Sequence, residues 1–288
     1  MFSRNLSVPD FVRRFFVSCA QISEALALRP PLKSGCNWQK TGRKSKCWKG
    51  SGSTSYIFGG FTMNNYQLIA FDMDGTLLNS DKQISPETLN AIKRAGDAGK
   101  TVILCTGRNL TELNAFTEIL PGLRYLDCVS GACVYDLKEK KTLYSQALDP
   151  GIVKKLMEFA LEEEAMIHVL SERSIVQRDQ QSHMADFHMG IYQTMFDKIT
   201  DKLENIYNSF CQEPFPVLKL NLYHKDEYSR ARTVERIKAA GLETALALAE
   251  STSLECSAKG IDKGVGLKKL CEHLGLPLEQ TIAVGDAD

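Results

Sequence analysis

The chain has 288 residues, of which 43% are apolar and 24% charged, and its 35 Lys/Arg balance 35 Asp/Glu. That length accommodates two domains, the composition is that of a globular protein, and no run approaches the ~18 apolar residues of a membrane span. The neutral total hides an asymmetry: residues 1–62 carry ten Lys/Arg against two acids, so the remainder is net −8, which gives no electrostatic case for nucleic-acid binding.

Residues 1–62 are rich in Ser, Lys and Arg, poor in acids, and close on a Gly/Ser stretch (Lys49-Gly50-Ser51-Gly52-Ser53). Three readings stay open: an organelle-targeting peptide, a basic, disordered extension ahead of a compact domain that starts at Met63, or a basic tail that binds a partner. From Tyr66 the pattern is regular. An apolar strand over 66–71 runs into Asp72-Met73-Asp74-Gly75-Thr76, where Gly75 permits a sharp turn. Ser85-Pro86-Glu87 starts a helix with Ser as N-cap and Pro in its first turn. Leu89, Ile92 and Ala95 follow at helical spacing, and Gly99 stops it. A second strand over 101–105 ends in Thr106-Gly107-Arg108, and a second helix turns Leu110, Leu113 and Phe116 to one face. A third strand spans 123–129. The alternation implies a parallel sheet with right-handed crossovers, and ligands of such sheets bind beyond the carboxyl ends of the strands. Asp72, Asp74 and Thr106 stand at those ends.

The rhythm then changes. Residues 147–254 mix helices (150–164, 192–205, 227–240) with short strands (166–170, 217–223, 244–249), as an inserted α/β domain would. The chain returns at Ser257-Ala258-Lys259-Gly260-Ile261-Asp262-Lys263-Gly264. A helix with Val265, Leu267, Leu270 and Leu274 inward follows, and the next strand, 281–284, ends in Gly285-Asp286. The domains expected are the extension 1–62, a first core segment 63–146, the insertion 147–254 and a second core segment 255–288.

The nine cysteines form no Cys-x-x-Cys pair. Cys105, Cys128 and Cys133 fall in or beside buried strands and read as small apolar residues of a reducing, cytoplasmic compartment. His183 and His188 are five apart, which is not a helical metal spacing. No glycine-rich stretch matches a P-loop or a dinucleotide fingerprint.

The run Asp72-Met73-Asp74-Gly75-Thr76-Leu77-Leu78 resembles the nucleophile motif of the haloacid dehalogenase superfamily. The insertion after the third strand resembles the large cap of its Cof-like, type IIB, phosphatases. The resemblance implies a three-layer Rossmannoid core with an α/β cap, and a Mg²⁺-dependent phosphatase of small phosphorylated metabolites, sugar phosphates by default. Asp72 would be nucleophile and metal ligand. Asp74 would offer its backbone carbonyl to Mg²⁺ and its carboxyl as general acid and base, with two crowded acids keeping both protonation states accessible. Thr106, Gly107 and Lys263 would hold the phosphoryl group, and Asp286 would ligate the metal. Arg108 would either reach substrate or brace its loop. Where the family has Asn-Gly-Ala this chain has Ser130-Gly131-Ala132, and its fourth motif, usually Gly-Asp-x-x-Asn-Asp, is met only as far as Asp288. Two other functions stay open: a phosphotransferase or mutase of the same superfamily, and a C-terminally truncated, weakly catalytic chain that only binds. Nothing in the sequence marks a membrane partner or an oligomeric state.

Overall fold

The computed structural model describes residues 57–58, 61–62 and 66–286. The expected start at Met63, nearly all of the 1–62 extension, and Ala287 and Asp288 lie outside the described residues. Ile57–Phe58 (β1) and Phe61–Thr62 (β2) pair as a small antiparallel ribbon.

Leu68–Phe71 (β3) is apolar and buried at every position, as a strand covered on both faces must be. Pro86–Asp97 (α1) begins as the sequence dictates, the Thr88 amide donating to Ser85 Oγ at 3.2 Å. Thr101–Cys105 (β4), Leu110–Ile119 (α2) and Tyr125–Cys128 (β5) follow. A hairpin of Cys133–Asp136 (β6) and Lys141–Ser145 (β7) was not legible in the sequence, because β7 is largely exposed and carries no apolar run. Next come Pro150–Glu162 (α3), Met166–Leu170 (β8), Ser174–Gln177 (β9), Arg178–Ser182 (α4), Gln193–Ile199 (α5), Thr200–Leu203 (β10), Ile206–Gln212 (α6), Lys219–Tyr223 (β11), Glu227–Ala239 (α7), Thr244–Ala247 (β12) and Ser253–Ala258 (β13). Lys263–Leu274 (α8), stopped by Gly275 at φ +65°, and Thr281–Val284 (β14) complete the described chain.

Two six-stranded sheets result. The first has the order β14-β3-β4-β5-β6-β7. Its first four strands are parallel, as expected, and the β6–β7 hairpin adds an antiparallel edge. Helices lie on both faces. Ile69, Phe71, Val102 and Leu104 pack with Ile92, Ala95 and Leu113 of α1 and α2, while Leu68, Ala70, Ile103 and Tyr125 pack with Leu267, Leu270 and Cys271 of α8. This is the three-layer α/β arrangement.

The second sheet has the order β10-β9-β8-β11-β13-β12. One face buries Ile167, Val169, Leu220, Leu222, Leu254 and Cys256 against α3, α6 and α7. Ser253–Ala258 lies between β11 and β12 in this sheet, so the chain crosses back after Ala258 and not at the expected boundary of 254. The helix expected over 192–205 stops at Ile199. The Thr200 hydroxyl donates to the Phe196 carbonyl at 2.6 Å, and β-branched Thr200 opens a strand that pairs with β9. Among the described residues no helix is long and apolar enough to cross a membrane.

Candidate active site

The carboxyl ends of three neighbouring strands and the first turn of α8 meet at one place. Strand β3 delivers Asp72, β4 delivers Thr106, and β14 delivers Asp286. The Asp72 amide donates to the Val284 carbonyl at 2.8 Å, which carries the β3–β14 pairing up to the site. Past Asp72 the chain folds into a tight turn over Met73–Leu77 in which Asp74 and Gly75 leave helical geometry. Gly75 has φ +78°, and a Cβ there would stand 2.7 Å from Asp286 Cγ. Only glycine lets the Asp286 carboxylate close on this turn, where Thr76 Oγ1 donates to Asp286 Oδ1 at 3.3 Å.

Lys263 reaches the same point from the other side of the sheet, its Nζ 2.8 Å from Asp72 Oδ1. Two features put it there. Asp262 caps α8 by accepting from the Val265 amide at 2.9 Å. Gly266 lies so close to β5 that a Cβ on it would be 2.7 Å from Asp127 Cγ and 2.8 Å from Gly131 Cα. Burial pushes the Asp127 carboxyl up to about 8, so it packs against α8 as a neutral acid. Its Oδ2 accepts from Cys105 Sγ at 2.9 Å. Cys105, Cys128 and Cys133 are buried thiols of this region, as read from the sequence.

Thr106 is buried, and its Oγ1 accepts from the Arg108 amide at 3.3 Å. Helix α2 starts directly below. Asn109 Oδ1 accepts from the Glu112 amide at 3.2 Å, and Glu112 Oε2 accepts from the Asn109 amide at 2.7 Å. This reciprocal cap fixes the helix N-terminus beneath Thr106-Gly107-Arg108, and amides at such a terminus suit an anion.

The two motif aspartates sit in opposite electrostatic settings. Burial pushes Asp72 above the ordinary carboxylate range. Lys263 opposes that shift, and the facing Asp286 carboxylate adds to it. Partial burial also acts to raise Asp74, but hydrogen bonds and charge from Arg108 and Lys82 outweigh it, and Asp74 is held low. Arg108 grips Asp74 with two bonds of 2.9 Å, from Nε and Nη2, and Lys82 Nζ adds a third at 2.9 Å. The geometry thus departs from the expectation that crowded acids would leave Asp74 free to hold a proton. Its nearest charged partners are cations, which favour its ionised form. Of the two options for Arg108, this conformation has the brace.

Hard oxygen donors are what Mg²⁺ requires. Among the described residues no cluster of three His, Cys, Asp or Glu side chains could hold a metal ion. The Asp72 and Asp286 carboxylates do face each other with Lys263 as countercharge, and like charges so placed favour a shared cation. With the Asp74 side chain engaged by Arg108 and Lys82, its backbone carbonyl is the donor it has to offer. The set fits a cation held by two carboxylates, one carbonyl and water.

A cavity of about 1320 Å³ lies over this point, lined by Asp72, Thr106, Lys263 and Asp286 from the first sheet and by Lys219, Asn221 and Glu255 from the second. Met189, Tyr192, Met195 and Phe196 form another wall. The sequence reading missed Lys219, Asn221, Glu255 and Lys82. The available signal was the alternation Lys219-Leu220-Asn221-Leu222-Tyr223, which puts three polar side chains on one face of a fully buried strand. His183 and His188 are exposed and do not line the cavity.

The profile of the haloacid dehalogenase-like hydrolase family matches residues 69–288. The chain is 28% identical over 226 residues to an HMP-PP phosphatase of Enterobacter sp. (strain 638), covering 77% of this chain and 78% of the relative. It is 26% identical over 226 residues to the 5-amino-6-(5-phospho-D-ribitylamino)uracil phosphatase of Bacillus subtilis (strain 168), covering 77% of each. A crystal structure of a haloacid dehalogenase-like hydrolase from Bacteroides thetaiotaomicron superposes with a TM-score of 0.65 at 23% identity, covering 77% of this chain and 82% of that one. The profile spans most of the chain, and the fold agrees with it. The chain belongs to the haloacid dehalogenase-like hydrolases.

Proposed function

We propose that this chain is a Mg²⁺-dependent phosphatase of small phosphorylated metabolites that works through a phosphorylated Asp72. The observation that carries the reading is the meeting of Asp72, Thr106, Lys263 and Asp286, drawn from four separate elements, in one cavity, with Lys263 Nζ 2.8 Å from Asp72 Oδ1.

A carboxylate attacking a phosphate dianion is repelled, and splitting the hydrolysis into two displacements makes each easier. When bound, Mg²⁺ supplies charge neutralisation and polarises the phosphoryl group. Asp72 attacks phosphorus, and the bond to the leaving oxygen breaks. The Lys263 ammonium keeps its proton, because Asp72 outweighs the burial that would remove it. It steers Asp72 and offers charge to the phosphoryl oxygens. Thr106, whose oxygen already accepts from the Arg108 amide, keeps its own proton for a phosphoryl oxygen, and the Gly107 amide offers a second donor. Asp74 gives a proton to the leaving oxygen, then takes one from the water that attacks phosphorus and frees Asp72. Both acts require Arg108 and Lys82 to loosen their hold as substrate enters.

The second sheet, with its helices, serves in this reading as a cap that selects substrate. Sugar phosphates are the default class. A ring-bearing phosphorylated metabolite is favoured as a second reading by the Met189, Tyr192, Met195 and Phe196 wall, since Met and aromatic side chains stack on planar groups. The name of one phosphatase relative, a substituted uracil enzyme, agrees with it. Phosphate release from a panel of sugar phosphates, pyridoxal 5′-phosphate and flavin mononucleotide, with millimolar Mg²⁺ and with chelator, tests the proposal. Inorganic phosphate should appear with Mg²⁺ and vanish with chelator. Phosphoryl transfer without phosphate release would favour a mutase, and no turnover by folded protein would refute the reading.

A further inference from the structure

Lys219 comes from the second sheet, yet two of its three hydrogen bonds go to loops of the first. Its side chain is 1% exposed. An ammonium has three N–H donors, and all three are taken: by the Gly107 carbonyl at 2.9 Å, Ser130 Oγ at 3.1 Å and Glu255 Oε2 at 3.0 Å. No donor remains for a substrate. Its neighbours on the first sheet are the loop expected to hold phosphate and the loop that braces it.

The carbonyls of that phosphate loop are all held from outside. Thr106 O accepts from the Ser130 amide at 3.0 Å, and Arg108 O accepts from the Val129 amide at 2.9 Å. Gly107 O, between them, depends on Lys219. A trans peptide is planar, so fixing the Gly107 carbonyl fixes the Arg108 N–H in the opposite direction. That N–H donates to Thr106 Oγ1 at 3.3 Å. The chain of constraint runs from Lys219 through one peptide plane to the Thr106 hydroxyl. The bracing loop is itself strained, with Val129 at φ +55° and Ser130 at φ +56°. Such conformations persist only where surrounding contacts hold them, and Lys219 supplies one through Ser130 Oγ.

We propose that Lys219 is a positioning residue for phosphoryl transfer: it sets the Gly107–Arg108 peptide, and so gives the phosphate loop its working shape only when the second sheet is seated on the first. The proposal rests on the phosphatase reading above. It differs from leaving-group recognition, because a loop that holds the phosphoryl group acts alike on every substrate.

The test compares the full chain with Lys219→Met, using p-nitrophenyl phosphate, glucose 6-phosphate and pyridoxal 5′-phosphate, whichever the parent protein hydrolyses, and inorganic phosphate as inhibitor. Lys219→Met strands the Glu255 charge, so Lys219→Met/Glu255→Met, which removes both charges, is measured beside it with thermal unfolding of each. The expected result is a fall in kcat/KM of about a hundredfold, the scale of an ångström misplacement, by the same factor for every substrate and with weaker inhibition by phosphate. Activity within about twofold of the parent in a folded variant overturns the proposal, as does a loss that differs more than about tenfold between leaving groups. A parent protein inactive on all three with Mg²⁺ is a separate outcome: it refutes the phosphatase reading, and the proposal falls with it.

Discussion

Replacing Gly266 by alanine adds one methyl group to a helix face and tests whether close packing of α8 places Lys263. An ideal Cβ at 266 would stand 2.7 Å from Asp127 Cγ and 2.8 Å from Gly131 Cα, against the 3.4 Å of ordinary contact. Neither neighbour is the free end of a flexible side chain. Asp127 is fully buried and bonded to Cys105, and Gly131 is backbone, itself pressed on Asp262. Helix α8 must therefore retreat by more than half an ångström. Overpacking of this kind costs about 1–3 kcal/mol. The same retreat lengthens the 2.8 Å contact from Lys263 to Asp72, one turn up the helix, and misplacement on that scale costs up to about a hundredfold in rate. Urea unfolding gives the first quantity, and p-nitrophenyl phosphate hydrolysis gives the second. The control is Gly96→Ala in α1, where a Cβ meets nothing within 4 Å. There alanine should stabilise by about 0.5–1 kcal/mol through helix propensity and leave turnover unchanged. A Gly266→Ala protein with parental stability and activity would refute the reasoning.

Asp127, raised to about 8 by burial, keeps its proton in the folded protein, whereas the unfolded chain releases it near 3.8. Between those values the folded state binds the extra proton, so stability is lost as pH rises, by at most about 1.4 kcal/mol per pH unit. Asp127→Asn should flatten unfolding free energy between about pH 5 and about pH 7.5, and an unchanged slope contradicts the assignment. Arg108→Met removes two of the three bonds that hold Asp74 low. If Asp74 is the general acid, the alkaline limb of kcat should move to higher pH. A rise in KM with that limb unmoved would instead make Arg108 a substrate contact.

The parallel part of the first sheet was legible because each of its strands is a short apolar run, and three of them lead into a chemically distinctive residue. Strand β3 is followed by two aspartates and a glycine, β4 by Thr106 and β14 by Asp286. The Ser85-Pro86 cap fixed the start of α1. The second sheet was harder. The fully buried Lys219 occupies a slot that usually signals an exposed strand face, and its three hydrogen bonds beside the cavity explain it. The 192–205 stretch was expected as a single helix. The Thr200 hydroxyl ends the helix, and pairing with β9 decides the rest. The ion pairs of Asp74 were not legible because its partners, Arg108 and Lys82, lie 34 and 8 residues away in sequence. Sequence order showed an acid beside an acid, and the fold brought two cations onto one of them.

Chemical trapping of the enzyme during turnover tests the central assignment most directly. The protein is mixed with a hydrolysed phosphate ester and Mg²⁺, quenched, and reduced with borohydride, which converts an acyl phosphate to an alcohol. Peptide mass spectrometry should find homoserine in place of aspartate at position 72 and unmodified aspartate at positions 74 and 286. Homoserine at either of those positions, or none at position 72 in a protein that is turning over, would contradict the account.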